Sequence, residues 1–156
     1  MIDKIKFKKS DQVAFVGRIR PLIKRIQPKV DRVYVLERDI KRRETGILPD
    51  TASEEILPKV DVTIITGTAI ANGTIDRLLQ LSKKSREVAL VGASASTIPD
   101  PLFKRGVTIV GAIRVRDTDR LLQIVSEGGG TQQLKSAIDF INLRPKNCGA
   151  QSRQQG

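Results

Sequence analysis

Two loops rich in glycine, hydroxyl and amide groups are the parts of this 156-residue sequence best equipped for chemistry. One runs from Thr66, Gly67 and Thr68 to Asn72, Gly73 and Thr74; the other runs from Gly92, Ala93 and Ser94 to Thr97. Loops of this composition present hydroxyls and backbone N–H groups to an anion, above all where a helix follows. Gly17 and Glu37 add a second signal, because their spacing is the one at which nucleotide-binding sheets place a turn glycine and an acid for ribose hydroxyls. The glycine pattern goes no further. Read from Gly17, G-x-G-x-x-G puts Ile19 and Leu22 where the second and third glycines belong, so no dinucleotide is expected. Each residue also has a plainer reading: Gly17 as a tight turn, Glu37 as a solvated partner of Arg18 or Arg38, and Asn72 or Thr74 as a helix cap.

Composition narrows the chemistry. The sequence has no histidine and one cysteine, Cys148. This excludes Ser-His-Asp and Cys-His nucleophile systems, an imidazole base, a Cys/His zinc site and an internal disulfide. With 28 basic against 17 acidic side chains the formal charge is +11, which favours an anionic ligand or an acidic partner. Much of that charge falls just after strands: Arg18 and Arg20, then Arg38, Lys41, Arg42 and Arg43, then Arg114 and Arg116. Glu37 and Glu44 are the carboxylates placed to oppose it locally. Nucleic acid is the rival explanation of the charge. It is disfavoured because the five aromatics fall mostly in apolar patterns and no helix-turn-helix, zinc-finger or ribonucleoprotein signature is present. No apolar run has the length of a signal peptide or a membrane span, and a cytoplasmic location is expected.

The elements that must position these loops alternate between strand and helix. Strands are expected at Val13–Val16, Arg32–Leu36, Val62–Ile65, Val88–Val91 and Thr108–Val110. Unbroken apolar runs such as VYVL and VTII suit strands covered on both faces, hence a parallel sheet. Ile19, Leu22, Ile23, Ile26 and Val30 mark a helix that tolerates Pro21 in its first turn. Thr51 and Glu54 form a candidate capping box, Gly73 and Thr74 open a third helix, and Asp117 starts a fourth that carries Leu121, Leu122 and Val125 and stops at Gly128. Thr131 starts a last helix with Leu134, Ala137, Ile138 and Ile141 on one side. The expected fold is α/β, a Rossmann-like three-layer sandwich with a five-stranded, mainly parallel sheet in the order 3-2-1-4-5. Residues 1–143 form one domain in this reading, and 144–156 a disordered tail.

At these same loops the sequence resembles a family of unknown function associated with heavy-metal chelation. Its features stand here as Gly17-Arg18-Ile19-Arg20-Pro21, Glu37-Arg38, Thr66 to Thr74, and Gly92-Ala93-Ser94 followed by Pro99, Pro101, Leu102 and Phe103. The likeness runs from about Gln12 to Leu134. It implies a Rossmann-like fold with a cleft at the carboxyl edge of the strands and a site built from Gly17, Arg18, Pro21, Glu37, Arg38, Thr66, Gly67, Thr68, Asn72, Gly73, Gly92 and Ser94. Many relatives carry an enolase-like amino-terminal domain over that cleft, whereas this sequence begins almost at its first strand, so half of such a site is expected to come from elsewhere. A partner subunit or a homo-oligomer would then supply the missing half. Members often have His where this chain has Arg18, and Pro where it has Ala93. Loss of the imidazole weakens a soft-metal role, because soft metals prefer thiolate and imidazole, and leaves a hard cation on Glu37 and carbonyls.

Three functions are compatible with these residues. The first is a binding domain for a small anionic ligand or metal complex at the strand edge. The second is a nucleotide- or phosphate-dependent enzyme or subunit, with Glu37 on a ribose and the Thr68–Thr74 loop on a phosphate; no catalytic residue is identified. The third is binding of nucleic acid or an acidic partner through the basic surface.

Overall fold

A computed structural model describes residues 4–39, 41 and 44–145. Arg42, Arg43, Cys148 and the expected tail from residue 146 onward lie outside the described residues. The strands are β1 (Gln12–Val16), β2 (Arg32–Glu37), β3 (Ile47–Pro49), β4 (Val62–Thr66), β5 (Glu87–Val91), β6 (Ile109–Val115) and β7 (Ile138–Leu143). They form one sheet in the order β3-β2-β1-β4-β5-β6-β7, parallel except for the antiparallel β6–β7 pair. Alternation along β1 shows how the sheet is covered. Val13 and Phe15 pack on one face with Leu22 and Ile26 of α1 (Arg20–Ile26), while Ala14 and Val16 pack on the other with Leu57, Leu78 and Leu79. Both faces of the central strands are therefore dry, as their continuous apolar runs require.

The seven strands correct the expected five. Ile47–Pro49 shows no strand period because it is three residues long, and it ends in proline, which suits a sheet edge. Its presence moves the other strands: Val62–Thr66 pairs with β1, not with β2 or the edge, and β3 takes the outer place beside β2. The second correction concerns the last element. Leu134, Ala137, Ile138 and Ile141 have helical spacing, yet only Thr131–Leu134 is helical, and Ile138–Leu143 extends along β6 with Ile141 opposite Ala112 and Ile138 opposite Val115. Pairing with the otherwise open edge of β6 outweighs the local helical spacing.

Helix boundaries also shift. α1 stops at Ile26, and Pro28 sits in a 3-10 turn rather than in a continuing helix to Val30. The chain from Thr66 to Thr74 contains a short helix, α3 (Thr68–Ala71), before α4 (Ile75–Leu81). Thr51 and Glu54 do not form a capping box: the turn Asp50–Ala52 leads into α2 (Ser53–Ile56) with no side-chain cap. α5 (Asp100–Lys104) follows the second glycine-rich loop. α6 (Thr118–Ser126) does begin as expected, with the Asp117 carboxylate accepting the Arg120 backbone N–H at 2.9 Å. Ile124 is its buried residue, whereas Leu122 and Val125 face outward.

Candidate cleft at the switch point

β1 lies between β2 and β4 in the sheet; the chain leaves β1 toward β2 and leaves β4 toward β5, so the connections diverge from these two neighbouring carboxyl ends. A crevice opens there in any doubly wound sheet. Gly17 turns the chain out of β1 with φ of +97°, and a Cβ on it would lie 2.7 Å from Thr66 Cγ2. The turn therefore both needs the left-handed conformation and brings the β1 and β4 ends together. Gly67 performs the same service between the next two loops. Its φ is ordinary, yet a Cβ there would stand 2.3 Å from the Ala95 backbone nitrogen.

The resulting cleft has a volume of about 590 Å³, in the range that holds a small-molecule ligand. Its wall includes Gly17, Arg18, Glu37, Arg38, Thr66, Thr68, Asn72 and Gly73, brought from the ends of β1, β2 and β4. Four residues expected at the site are placed elsewhere. Pro21 lies in the first turn of α1, Gly67 is spent on packing against Ala95, and Gly92 lines a smaller neighbouring cavity. Ser94 lines neither the cleft nor that cavity.

Glu37 is buried at the end of β2, and its two oxygens hold separate backbone groups. Oε2 accepts the Arg18 N–H at 3.1 Å and Oε1 accepts the Asp39 N–H at 3.0 Å. The acid thus laces the β1 turn to the β2 end. Asn72 works in the same way, its Oδ1 accepting from the Thr74 N–H at 3.2 Å and the Thr74 hydroxyl at 2.7 Å. Thr68 donates its hydroxyl to Thr66 Oγ1 at 3.1 Å.

Charge in the cleft is more balanced than the basic sequence suggests. Arg18 pairs with Glu44, which also lies 3.3 Å from Arg20. Arg38 Nε stands 3.7 Å from Asp50, and Arg77 grips Glu54 through two nitrogens. The hydrogen bond from Arg18 holds the Glu44 carboxyl below the usual glutamate range, and Arg77 does the same to Glu54. Both guanidinium groups are raised in return. Asp50, Ser53, Glu54 and Arg77 were not recognised as cleft residues from the sequence. The available signal is position: Arg77 lies in the first turn of α4, directly after the Asn72–Thr74 loop, while Glu54 reads locally as a capping residue.

A family model described as "Putative heavy-metal chelation" matches residues 1–144. The chain belongs to this DUF364 family. It is 31% identical, over 129 residues, to an uncharacterised protein of Methanocaldococcus jannaschii, covering 81% of this chain and 49% of that one. Two solved DUF364 structures of unknown function are similar. One, from Pyrococcus horikoshii, is 26% identical with a TM-score of 0.82 and is matched over 92% of this chain and 58% of its own. The other, from Desulfitobacterium hafniense, is 31% identical with a TM-score of 0.78, matched over 88% and 54%. The chain spans about half the length of these relatives. A Plasmodium falciparum pyrroline carboxylate reductase with NADP bound, 11% identical with a TM-score of 0.53 over 92% of this chain, shares the fold alone.

The residues of this DUF364 chain do not fit a chelator of soft metals. There is no imidazole, the one thiol lies outside the described residues, and Glu37 uses each carboxylate oxygen on a backbone N–H. Among the described residues no group of three or more His, Cys, Asp or Glu could hold a metal ion. No described helix is long and apolar enough to cross a membrane.

Proposed function

We propose that this DUF364 domain binds a small polar ligand with an anionic group in the cleft between the β1 and β4 ends. The observation that carries this reading is convergence: residues 17–18, 37–38, 66, 68 and 72–73, far apart in sequence, line one cavity of ligand size at the crevice where doubly wound sheets bind ligands. Anion preference is supported by Arg18, Arg38 and Arg77 on its wall. Glu44, Asp50 and Glu54, their partners, are solvent-accessible, with side-chain exposures of 63%, 37% and 55%. The Arg38–Asp50 and Arg77–Glu54 pairs are exposed on both sides and held weakly, so an incoming carboxylate or phosphate can compete for those two guanidinium groups. The Thr68 hydroxyl is bonded to Thr66 and to no described base, which supports binding rather than covalent catalysis.

The test is a thermal-shift panel of nucleotides, phosphorylated sugars and small carboxylic acids. A ligand at about 100 times its Kd adds roughly 2.7 kcal/mol of stability. Thr68→Trp, which places an indole in the cleft from an exposed position, should abolish the stabilisation while leaving the unliganded melting temperature nearly unchanged. A panel that leaves the wild-type protein unmoved refutes the proposal. Stabilisation confined to nucleotides would instead favour the nucleotide-dependent enzyme.

A further inference from the structure

The crevice has a second compartment. A cavity of about 120 Å³ lies on the far side of Ile19, walled by Val91, Gly92, Ala93, Ile113, Leu134 and Ile138, with Ile19 and Thr66 shared between it and the cleft. Apart from Thr66 and Gly92, every residue on its wall is apolar. The polar groups beside it are already satisfied. The Gly92 N–H donates to the Gly111 carbonyl at 3.0 Å, and Thr66 Oγ1 accepts from Thr68.

Its walls are fixed in place. The β4 and β5 loops are pressed together at Gly67 and Ala95, and the Ser96 hydroxyl receives the Ile113 N–H at 3.1 Å, tying the second loop to β6. Gly92 turns away from β5 with φ of +118°, and a Cβ built on it meets nothing nearer than 4.0 Å. The glycine therefore sets the path of the backbone and does not relieve crowding. A small apolar space with rigid walls and no unpaired polar group excludes water in favour of hydrocarbon, and a cavity of about 150 Å³ with such walls is known to take benzene.

We infer that this compartment is an apolar subsite for a compact branched-alkyl group of the ligand whose polar part occupies the cleft, with Thr66 at the junction and Ile19 as the partition. The inference rests on the cleft reading for the polar half alone. The ligand class follows as an amphiphile with a charged or hydroxylated body and a short branched tip.

Methyl-labelled full-length protein tests the subsite without any ligand. Xenon should shift the methyl resonances of Ile19, Ile113, Leu134 and Ile138 saturably, and the effect should vanish in Ala93→Leu, which fills the cavity from an exposed position. Absence of those shifts, or their persistence in Ala93→Leu, overturns the inference. Should Ala93→Leu not fold, Ala93→Val, expected to weaken the xenon effect, takes its place, and the wild-type titration decides in either event. The second arm compares 3-methylbutanoate with acetate. Three additional carbons leaving water should tighten binding by roughly tenfold or more, with the same four residues shifting. Xenon binding with equal or no affinity for the two acids refutes the amphiphile and points to a failure of the cleft reading. Failure of xenon with success of the ligand panel refutes the subsite only.

Discussion

Ion pairs occur at both edges of the sheet, but they serve opposite ends. At the amino edge, before β1, Asp11 is 2% exposed and its carboxylate accepts both the Lys8 N–H at 2.7 Å and the Arg86 guanidinium. Arg86 also donates to the Lys6 carbonyl, and Arg144 joins Glu87 to the Lys4 carbonyl. These contacts stitch the amino-terminal segment to β5 and to the end of β7. At the carboxyl edge the acids Glu44 and Glu54 face solvent and the guanidinium groups line the cleft. A carboxylate buried with several donors cannot be released cheaply, whereas an exposed pair can. The same residue types are structural at one edge and exchangeable at the other, and burial sets the difference.

The largest effect expected from breaking this contrast is on stability at the amino edge. Asp11→Ala removes the acceptor for two donors, leaving Arg86 one-third exposed and able to recover some hydration. It should lower the free energy of unfolding by about 2–3 kcal/mol without changing ligand affinity at the cleft. Urea denaturation with ligand titration of the surviving fold measures both. Equal losses of stability and affinity would show that the two edges are not separable. Glu37→Gln comes next. A glutamine keeps one acceptor and so loses one of two backbone contacts, at a cost of about 1–2 kcal/mol. Ligand affinity should fall far more, because the amide group turns a donor toward the Arg18 or Asp39 N–H and displaces the β1 turn that frames the cleft. A variant that binds as tightly as the parent would assign Glu37 to scaffolding alone.

Asn72→Ala should have a smaller effect, about 1 kcal/mol in stability, since one side-chain oxygen holds the Thr74 N–H and hydroxyl at the start of α4. If affinity for a cleft ligand drops by a larger free energy than stability does, then Asn72 also meets the ligand. Denaturation and titration on the same sample give both numbers.

The sequence was most legible where burial on both faces leaves one periodicity standing. The five long parallel strands were recognised within a residue or two at most ends, because VAFV, VYVL and VTII suit a covered sheet and little else. It was least legible at the sheet margins. Ile47–Pro49 is too short to show a period, and IDFINL does not alternate strictly while its neighbourhood is spaced as a helix, so only the open edge of β6 decides. For the cleft, glycines and hydroxyls after strands were visible because the crevice of a doubly wound sheet lies there by topology. Ser94 followed the same rule and still falls outside the cleft, since the Ala93–Ala95 turn carries it past the wall. Arg77 and Glu54 were hidden for the opposite reason. They reach the cleft from helices, and their pairing across 23 positions is a tertiary fact with no local pattern.

The smallest effect expected is electrostatic, and it sharpens the contrast between the edges. In the folded protein Glu44 and Glu54 are held below the ordinary glutamate value by their hydrogen bonds to Arg18 and Arg77. A lowered folded-state value means that the contribution of each pair is present above the ordinary range near about 4.3 and is lost as pH falls through the lowered value. Carboxyl resonances of the two residues should therefore titrate below that range, and both midpoints should move back toward it in about 1 M salt, where the Debye length is only about 3 Å. Because both groups face solvent, the accompanying change in stability is small. Arg77→Met should restore the Glu54 midpoint while leaving that of Glu44 in place, as the two pairs share no residue. A ligand anion that engages Arg77 should have the same effect, freeing Glu54 to titrate as an ordinary acid. An unchanged Glu54 midpoint in the saturated complex would mean that the guanidinium stays with its internal partner and that the anion is held elsewhere on the wall.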